Sequence, residues 1–214
     1  MRIIATALCL TISVANAHAG PVLTTEQLTW EWFRTAETYR RYKVKGPHDL
    51  TFSAHYFRLA ADRGNAAAAY KLGDAYENGI GVPQDFATAL QWYRRSAAAG
   101  DKYAELRIGW FYHKGIAVTA NAETAAQWYR QSAAKNNIWG YHMLAFMLMD
   151  GEGMPQDRDL ARQYFEKSLP ETNDHWAKTK LAELIQTSDP KRSKVLLRQA
   201  ADAGNPDAKK LLGR

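Results

Sequence analysis

Cysteine is all but absent from this chain: the single residue, Cys9, lies in an apolar run close to the N-terminus. If that run is a leader that is removed, the mature chain has no thiol. Disulfides, a thiol nucleophile and a cysteine zinc site are then excluded. Lipidation of Cys9 is disfavoured because the apolar run continues behind it to Val14. Long hydrophobic runs are absent as well. Ile3 to Val14 is the most apolar stretch, and its twelve residues fall short of the roughly 20 that a membrane span requires. Metal-ligand spacing is missing too. The six histidines (His18, His48, His55, His113, His142 and His175) form no HExxH and no close pair, so neither a metal nor another cofactor is expected. There is no low-complexity segment and no linker long enough to divide the chain into domains.

What is present begins with an address. Met1-Arg2 is positive, Ile3 to Val14 is apolar, and Ala15-Asn16-Ala17 or Ala17-His18-Ala19 offers a small-residue cleavage site. Residues 1–19 are therefore expected to be a signal peptide cleaved after Ala17 or Ala19, which makes the mature protein periplasmic or secreted, with no membrane span. The formal charge is +6, with Lys and Arg distributed over the whole chain rather than gathered in one patch. Together with an export signal, that spread speaks against nucleic acid. An acidic protein or an anionic envelope polymer is left as the kind of partner a basic chain would meet.

The body of the chain repeats itself. Leu72-Gly73, Tyr76, Gly79, Gly81-Val82-Pro83, Asp85, Ala89 and Trp92-Tyr93 return 36 residues later as Ile108-Gly109, Tyr112, Gly115, Ala117-Val118, Asn121, Ala125 and Trp128-Tyr129. After another 36 they return as Leu144-Ala145, Leu148, Gly151, Gly153-Met154-Pro155, Asp157, Ala161 and Tyr164-Phe165. A fixed period of this length marks a solenoid. Within one unit, Ala69, Leu72, Gly73 and Tyr76 share a helical face. Gly79 and Gly81 break that helix, Pro83 stands where a second could begin, and Asp85 can accept from the amides of its first turn. Ala89, Trp92, Tyr93 and Ser96 form the second apolar stripe. Small residues at Gly73 and Ala89 let the two helices approach closely.

These residues resemble the Sel-one-like repeats, longer-looped relatives of the tetratricopeptide repeat. The match rests on about a dozen positions in register over three units, and with degenerate units it extends over nearly all of the chain after residue 28. Departures fall at Ala117, Asn121, Ala145 and Leu148, and at Pro170, where a helix should finish. The resemblance implies an all-α, right-handed superhelical solenoid of helix-turn-helix repeats, about four and a half pairs. It also implies a non-catalytic adaptor of the bacterial cell envelope or of secretion, meeting envelope or host proteins.

The expected organisation is a lead-in over 20–29 and a solenoid over 30–214. A divergent first repeat (30–65) has helices from Trp30 to Arg41 and from Thr51 to Asp62. Clear repeats follow at 66–101, 102–137 and 138–172, then a truncated one at 174–205 and a capping helix at 206–214. Trp92, Tyr93, Trp128, Tyr129, Tyr164 and Phe165 recur in every clear unit and are assigned to the core.

If first helices line the inner face, as in the tetratricopeptide architecture, their variable positions form a groove. Those positions are Ala67, Tyr70, Asp74, Glu77 and Asn78; Tyr103, Leu106, Trp110, His113 and Lys114; Trp139, His142, Phe146, Met149 and Asp150; and Trp176, Thr179 and Glu183. The partner-binding candidates are Tyr70, Asp74, Tyr103, Trp110, His113, Trp139, His142 and Phe146, taking a peptide or protein. The competing reading is that stacking of neighbouring helices buries Trp110, Trp139 and Phe146. Two other functions remain as alternatives. A secreted cell-wall or β-lactam hydrolase could use the S-x-x-K at Ser132 to Lys135, although Ser96 and Ser168 hold the same repeat position without a lysine and the S-D-N and K-T-G partners are missing. An anionic-polymer binder would rest on charge alone.

Overall fold

In the computed structural model, residues 23–41 and 48–213 are described. The expected signal peptide, residues 42–47 between the two helices of the first repeat, and part of the lead-in lie outside them. Among the described residues there are eleven helices and no strand: α1 (Thr25–Arg41), α2 (His48–Asp62), α3 (Ala66–Asn78), α4 (Phe86–Ala98), α5 (Lys102–Lys114), α6 (Ala122–Ala134), α7 (Ile138–Asp150), α8 (Arg158–Thr172), α9 (His175–Ile185), α10 (Pro190–Asp202) and α11 (Pro206–Leu211). Odd and even helices pack as pairs from α1 with α2 through α9 with α10, and each even helix also packs on the next odd one. The chain is thus an all-α solenoid in which contacts run between neighbours in sequence. No helix among the described residues is long and apolar enough to cross a membrane.

The unit is built by its punctuation. Gly79, Gly115 and Gly151 end the first helices in the left-handed conformation, each amide returning to a carbonyl four residues back. Asp85, Asn121 and Asp157 cap the second helices, their side chains accepting from first-turn amides. The second helix therefore starts at Phe86 rather than at Pro83. At the other end of the unit, Asn65, Asp101 and Asn137 cap the next first helix in the same way.

Inside a unit, one ring fills the space that glycine leaves. A Cβ on Gly73 would stand 2.7 Å from the Tyr93 ring, and one on Gly109 2.6 Å from that of Tyr129. Tyr93, Tyr129 and Phe165 have no exposed surface. The preceding aromatics, Trp92, Trp128 and Tyr164, are only partly buried and cover the edges of the core. The assignment of all six to the core therefore holds fully for one residue of each pair.

Three further details differ from the sequence reading. Residues 25–29 are helical rather than lead-in, because Thr24 and Gln27 exchange backbone-to-side-chain hydrogen bonds and start α1 early. Helix α8 passes through Pro170 to Thr172, where Asn173 at φ 49° caps it. Pro170 supplies no N–H to the Glu166 carbonyl, and the helix closes beyond it through the Asn173 amide, which donates to the Leu169 carbonyl. Helix α10, expected to run from Lys191, starts at Pro190, which occupies its first turn.

Candidate functional site

The second residue of successive first helices sets one row on the molecule: Ala67, Tyr103, Trp139 and Trp176. Tyr103, Trp139 and Trp176 are 49%, 48% and 43% exposed, high values for rings of this size. Each lies in the first turn, set there by the cap before it, Asp101, Asn137 or Asp174. Tyr70, Asp74, Trp110, His113 and Phe146 are partly buried. Tyr70 packs between Tyr93 and Tyr103, with ring centroids 5.6 Å and 6.3 Å away. Burial and the nearby Asp74 carboxylate raise its hydroxyl pKa.

Between α5 and α7 the row opens into a notch of about 80 Å³, lined by Leu106, Arg107, Trp110, Tyr129, Trp139 and Met143. Its rim is braced across repeats. Arg107 donates to Glu77 through Nε, at 3.2 Å, and through Nη2, while the Tyr93 hydroxyl donates to the same carboxylate at 2.6 Å. Glu77 was expected in the groove. It is 8% exposed because it is the partner of a buried hydroxyl, which would otherwise be left without one.

The same position explains three repeats at once. Glu77, His113 and Met149 stand 36 residues apart; the first two meet Tyr93 and Tyr129, and Met149 shares a buried cluster with Phe165. His113 Nδ1 lies 3.4 Å from the Tyr129 hydroxyl. Met149, also expected in the groove, is 6% exposed, and its unit has a phenyl ring with no hydroxyl to satisfy. Sequence reasoning missed this pairing although its signal was legible: the polarity of one position follows the ring sixteen residues on.

The groove histidines separate. His113 is partly buried, with Nε2 3.1 Å from Glu152 in the loop of the next repeat. His142 is buried, edged by Trp139 and Phe146 at 5.5 Å and 5.2 Å. Desolvation lowers its pKa, and the Asp174 carboxylate 4.0 Å away offsets only part of that. Thr179, another expected groove residue, is buried and donates to the His175 carbonyl at 2.9 Å. Stacking thus buries His142, leaves Trp110 and Phe146 half-covered, and leaves Trp139 open.

The S-x-x-K is taken apart by packing. Ser132 is fully buried and donates to the Lys102 carbonyl at 2.6 Å, while Lys135 is paired with Glu105 at 2.6 Å. Ser96 makes the same tie to Ala66 at 2.8 Å in the previous unit. The serine therefore staples the second helix to the start of its own first helix. Among the described residues, no three His, Cys, Asp or Glu side chains gather as a metal would need.

Helix pairs with glycine loops, stacked in line and presenting a ring from each first helix, define an α-helical repeat solenoid. The family model described as "Sel1 repeat" matches residues 44–65, 66–101, 102–137, 140–169 and 184–205, and the chain belongs to that family. Proteins of this family are generally interaction scaffolds and non-catalytic modules.

Among solved structures, the chain is similar to a protective antigen of uropathogenic Escherichia coli with an SLR fold (29% identity, TM-score 0.74), covering 85% of this chain and 39% of that one. It is also similar to a Sel1 repeat protein from Oxalobacter formigenes (25% identity, TM-score 0.71), covering 89% and 78%. A Pseudomonas aeruginosa immunity protein shares the fold alone at 16% identity and TM-score 0.52, covering 88% and 70%. The chain thus spans well under half the length of the E. coli antigen. No curated protein sequence matches it significantly.

Proposed function

We propose that this protein is a non-catalytic scaffold that binds a peptide or protein partner across the aromatic face of its first helices. The reading includes export, with residues 1–19 as the leader, and work in the periplasm or outside the cell. It also takes residues 30–214 as one binding unit. The observation that carries it is the row of Tyr103, Trp139 and Trp176, large rings kept open at one repeat position where the core has no use for them. Rings held this way lose little entropy on binding and supply large contact area. His113, Trp110 and Phe146 flank the row, with His142 supporting it from beneath. What supports a role without catalysis is the engagement of Ser132 and Lys135 in structural contacts.

The test is affinity capture from envelope extract and culture medium with the tagged parent and a Tyr103→Ala, Trp139→Ala double variant, both checked for intact helical signal. A partner held by the parent and lost by the variant is the expected result. Equal capture by both would remove the aromatic row from the function. Turnover of a reporter β-lactam that Ser132→Ala abolishes would replace the scaffold with an enzyme.

A further inference from the structure

The notch between α5 and α7 is a concave apolar site in the middle of the aromatic face, and its surroundings select a ligand. We propose that it takes one branched aliphatic side chain of an acidic, extended peptide, a specificity that rests on the scaffold reading above. A space of about 80 Å³ equals the share of liquid volume held by roughly three waters, which suits one leucine-sized group and excludes an indole. The walls are Leu106, Trp110, Trp139 and Met143, all apolar or aromatic. Arg107 on the rim is held by Glu77, leaving three of its five N–H groups to receive a backbone carbonyl of the peptide. Its charge being neutralised by Glu77, it offers hydrogen bonds rather than a carboxylate site.

Charge selection comes from the row along α5. Lys102, Leu106, Trp110 and Lys114 follow one another at four-residue steps, each beside the next, along a line that winds about 120° round α5. The two lysines bracket the notch about 18 Å apart, a span that roughly five extended residues cover. Lys102 Nζ lies 5.5 Å from the Tyr103 ring and Lys114 Nζ 5.0 Å from the Trp110 ring. Lys102 Nζ also donates to the Asn136 carbonyl at 3.3 Å, a neutral partner that leaves its charge in place, and neither lysine makes an ion pair among the described residues.

The carboxylates close by are already engaged, Asp74 by the Asn78 amide at 2.9 Å. Glu77 is held by Arg107 and Tyr93, and Glu105 by Lys135. Asp101 is held by the amides of Tyr103 and Ala104, and Glu152 by His113. Asp150, exposed at the end of α7, offsets Lys114 in part. At the Lys102 end the N-terminal field of α5 is met by the Asp101 cap and Glu105 is neutralised by Lys135, which leaves Lys102 as the stronger selector.

The experiment uses fluorescein-labelled peptides of about nine residues in a Gly/Ser background, titrated into the full mature protein by polarisation. The first carries one leucine with a glutamate three residues to either side. The second has alanine for the leucine, and the third has lysines for the glutamates. The first peptide is expected to bind, with the second and third each about tenfold weaker.

Met143→Trp, which fills the notch, abolishes the preference for leucine over alanine. Lys102→Glu weakens the first peptide more than Lys114→Glu does. A glutamate in the first turn of α5 suits the helix field, so this variant keeps the fold even where Met143→Trp does not. Equal binding of the leucine and alanine peptides, an unchanged affinity in Lys102→Glu, or no binding of the first peptide at millimolar concentration each overturns the proposal. Capture that still depends on Tyr103 and Trp139 while the peptides fail leaves the scaffold standing without this specificity. Loss of both dependences removes the two together.

Discussion

At the scale of single residues, the unit is governed by what happens to the tip of one ring. Burial raises the hydroxyl pKa of Tyr129 well above the ordinary value of 10.0. The folded protein therefore keeps that proton where the unfolded chain gives it up, so its share of stability is whole below about pH 10 and is lost as pH rises further. Tyr129→Phe is expected to make the fall of melting temperature on the alkaline side shallower, by up to about 1.4 kcal/mol for each pH unit above 10. His142 works in the other direction. Its pKa is lowered chiefly by desolvation. The stability tied to the neutral imidazole is therefore whole above 6.5 and is lost as pH falls from there through the lower folded value. His142→Leu should lose less melting temperature than the parent between about pH 7 and about pH 5. An equal loss in both would mean that another group controls acid stability. The Tyr129 ring could be read from the repeat, and the polar residue sixteen positions before it was a legible signal, but only the packing of α5 against α6 brings the two together.

At the scale of elements, the glycine loops do more than turn the chain. Gly81 and Gly153 are left-handed at φ 72° and 66°. A Cβ would stand 2.0 Å from the Leu50 carbonyl oxygen in the first case and 2.3 Å from the Ala122 carbonyl carbon in the second. The second turn of each loop is therefore pressed onto the start of the previous second helix, and the interlock requires glycine. Gly153→Ala should cost about 3 kcal/mol in urea unfolding. The middle repeat departs from the rule: Ala117 takes the same left-handed conformation at φ 57° and is exposed. Relieving it with Ala117→Gly should raise stability by about 0.5–1 kcal/mol, since the strain of a left-handed alanine exceeds the entropy that glycine loses. No gain in a thermal melt would mean that the loop relaxes around the alanine. The departure at Ala117 was legible in the sequence as a mismatch with its neighbours, but its conformation was not, because an exposed loop can accept a rare dihedral where a pattern predicts none.

At the scale of the molecule, each helix packs mainly on its neighbours in the chain, with lighter ties between successive first helices, so stability is a sum over units and their interfaces. Ending the chain at Asn205 removes α11 and uncovers Leu197, Ala200 and Ala201. Hydrogen exchange is then expected to accelerate in α9 and α10 while α3 to α8 keep their protection. Acceleration throughout would show cooperativity beyond nearest neighbours. The 36-residue period, the helix pairs, the loop glycines and the buried ring of each unit were all determined by the sequence alone. They answer local requirements, of helix periodicity, left-handed backbone and close approach, that every unit states in its own residues. The face of the first helices was decided only by tertiary structure. Glu77, His142 and Met149 occupy the same helical side as Tyr103 and Trp139, yet the first three are buried and the last two are open. The difference arises because residues three to four positions apart on one helix meet different neighbours: the paired helix, the next first helix, or water. Those neighbours come from other units at a distance along the chain that a one-dimensional period does not encode.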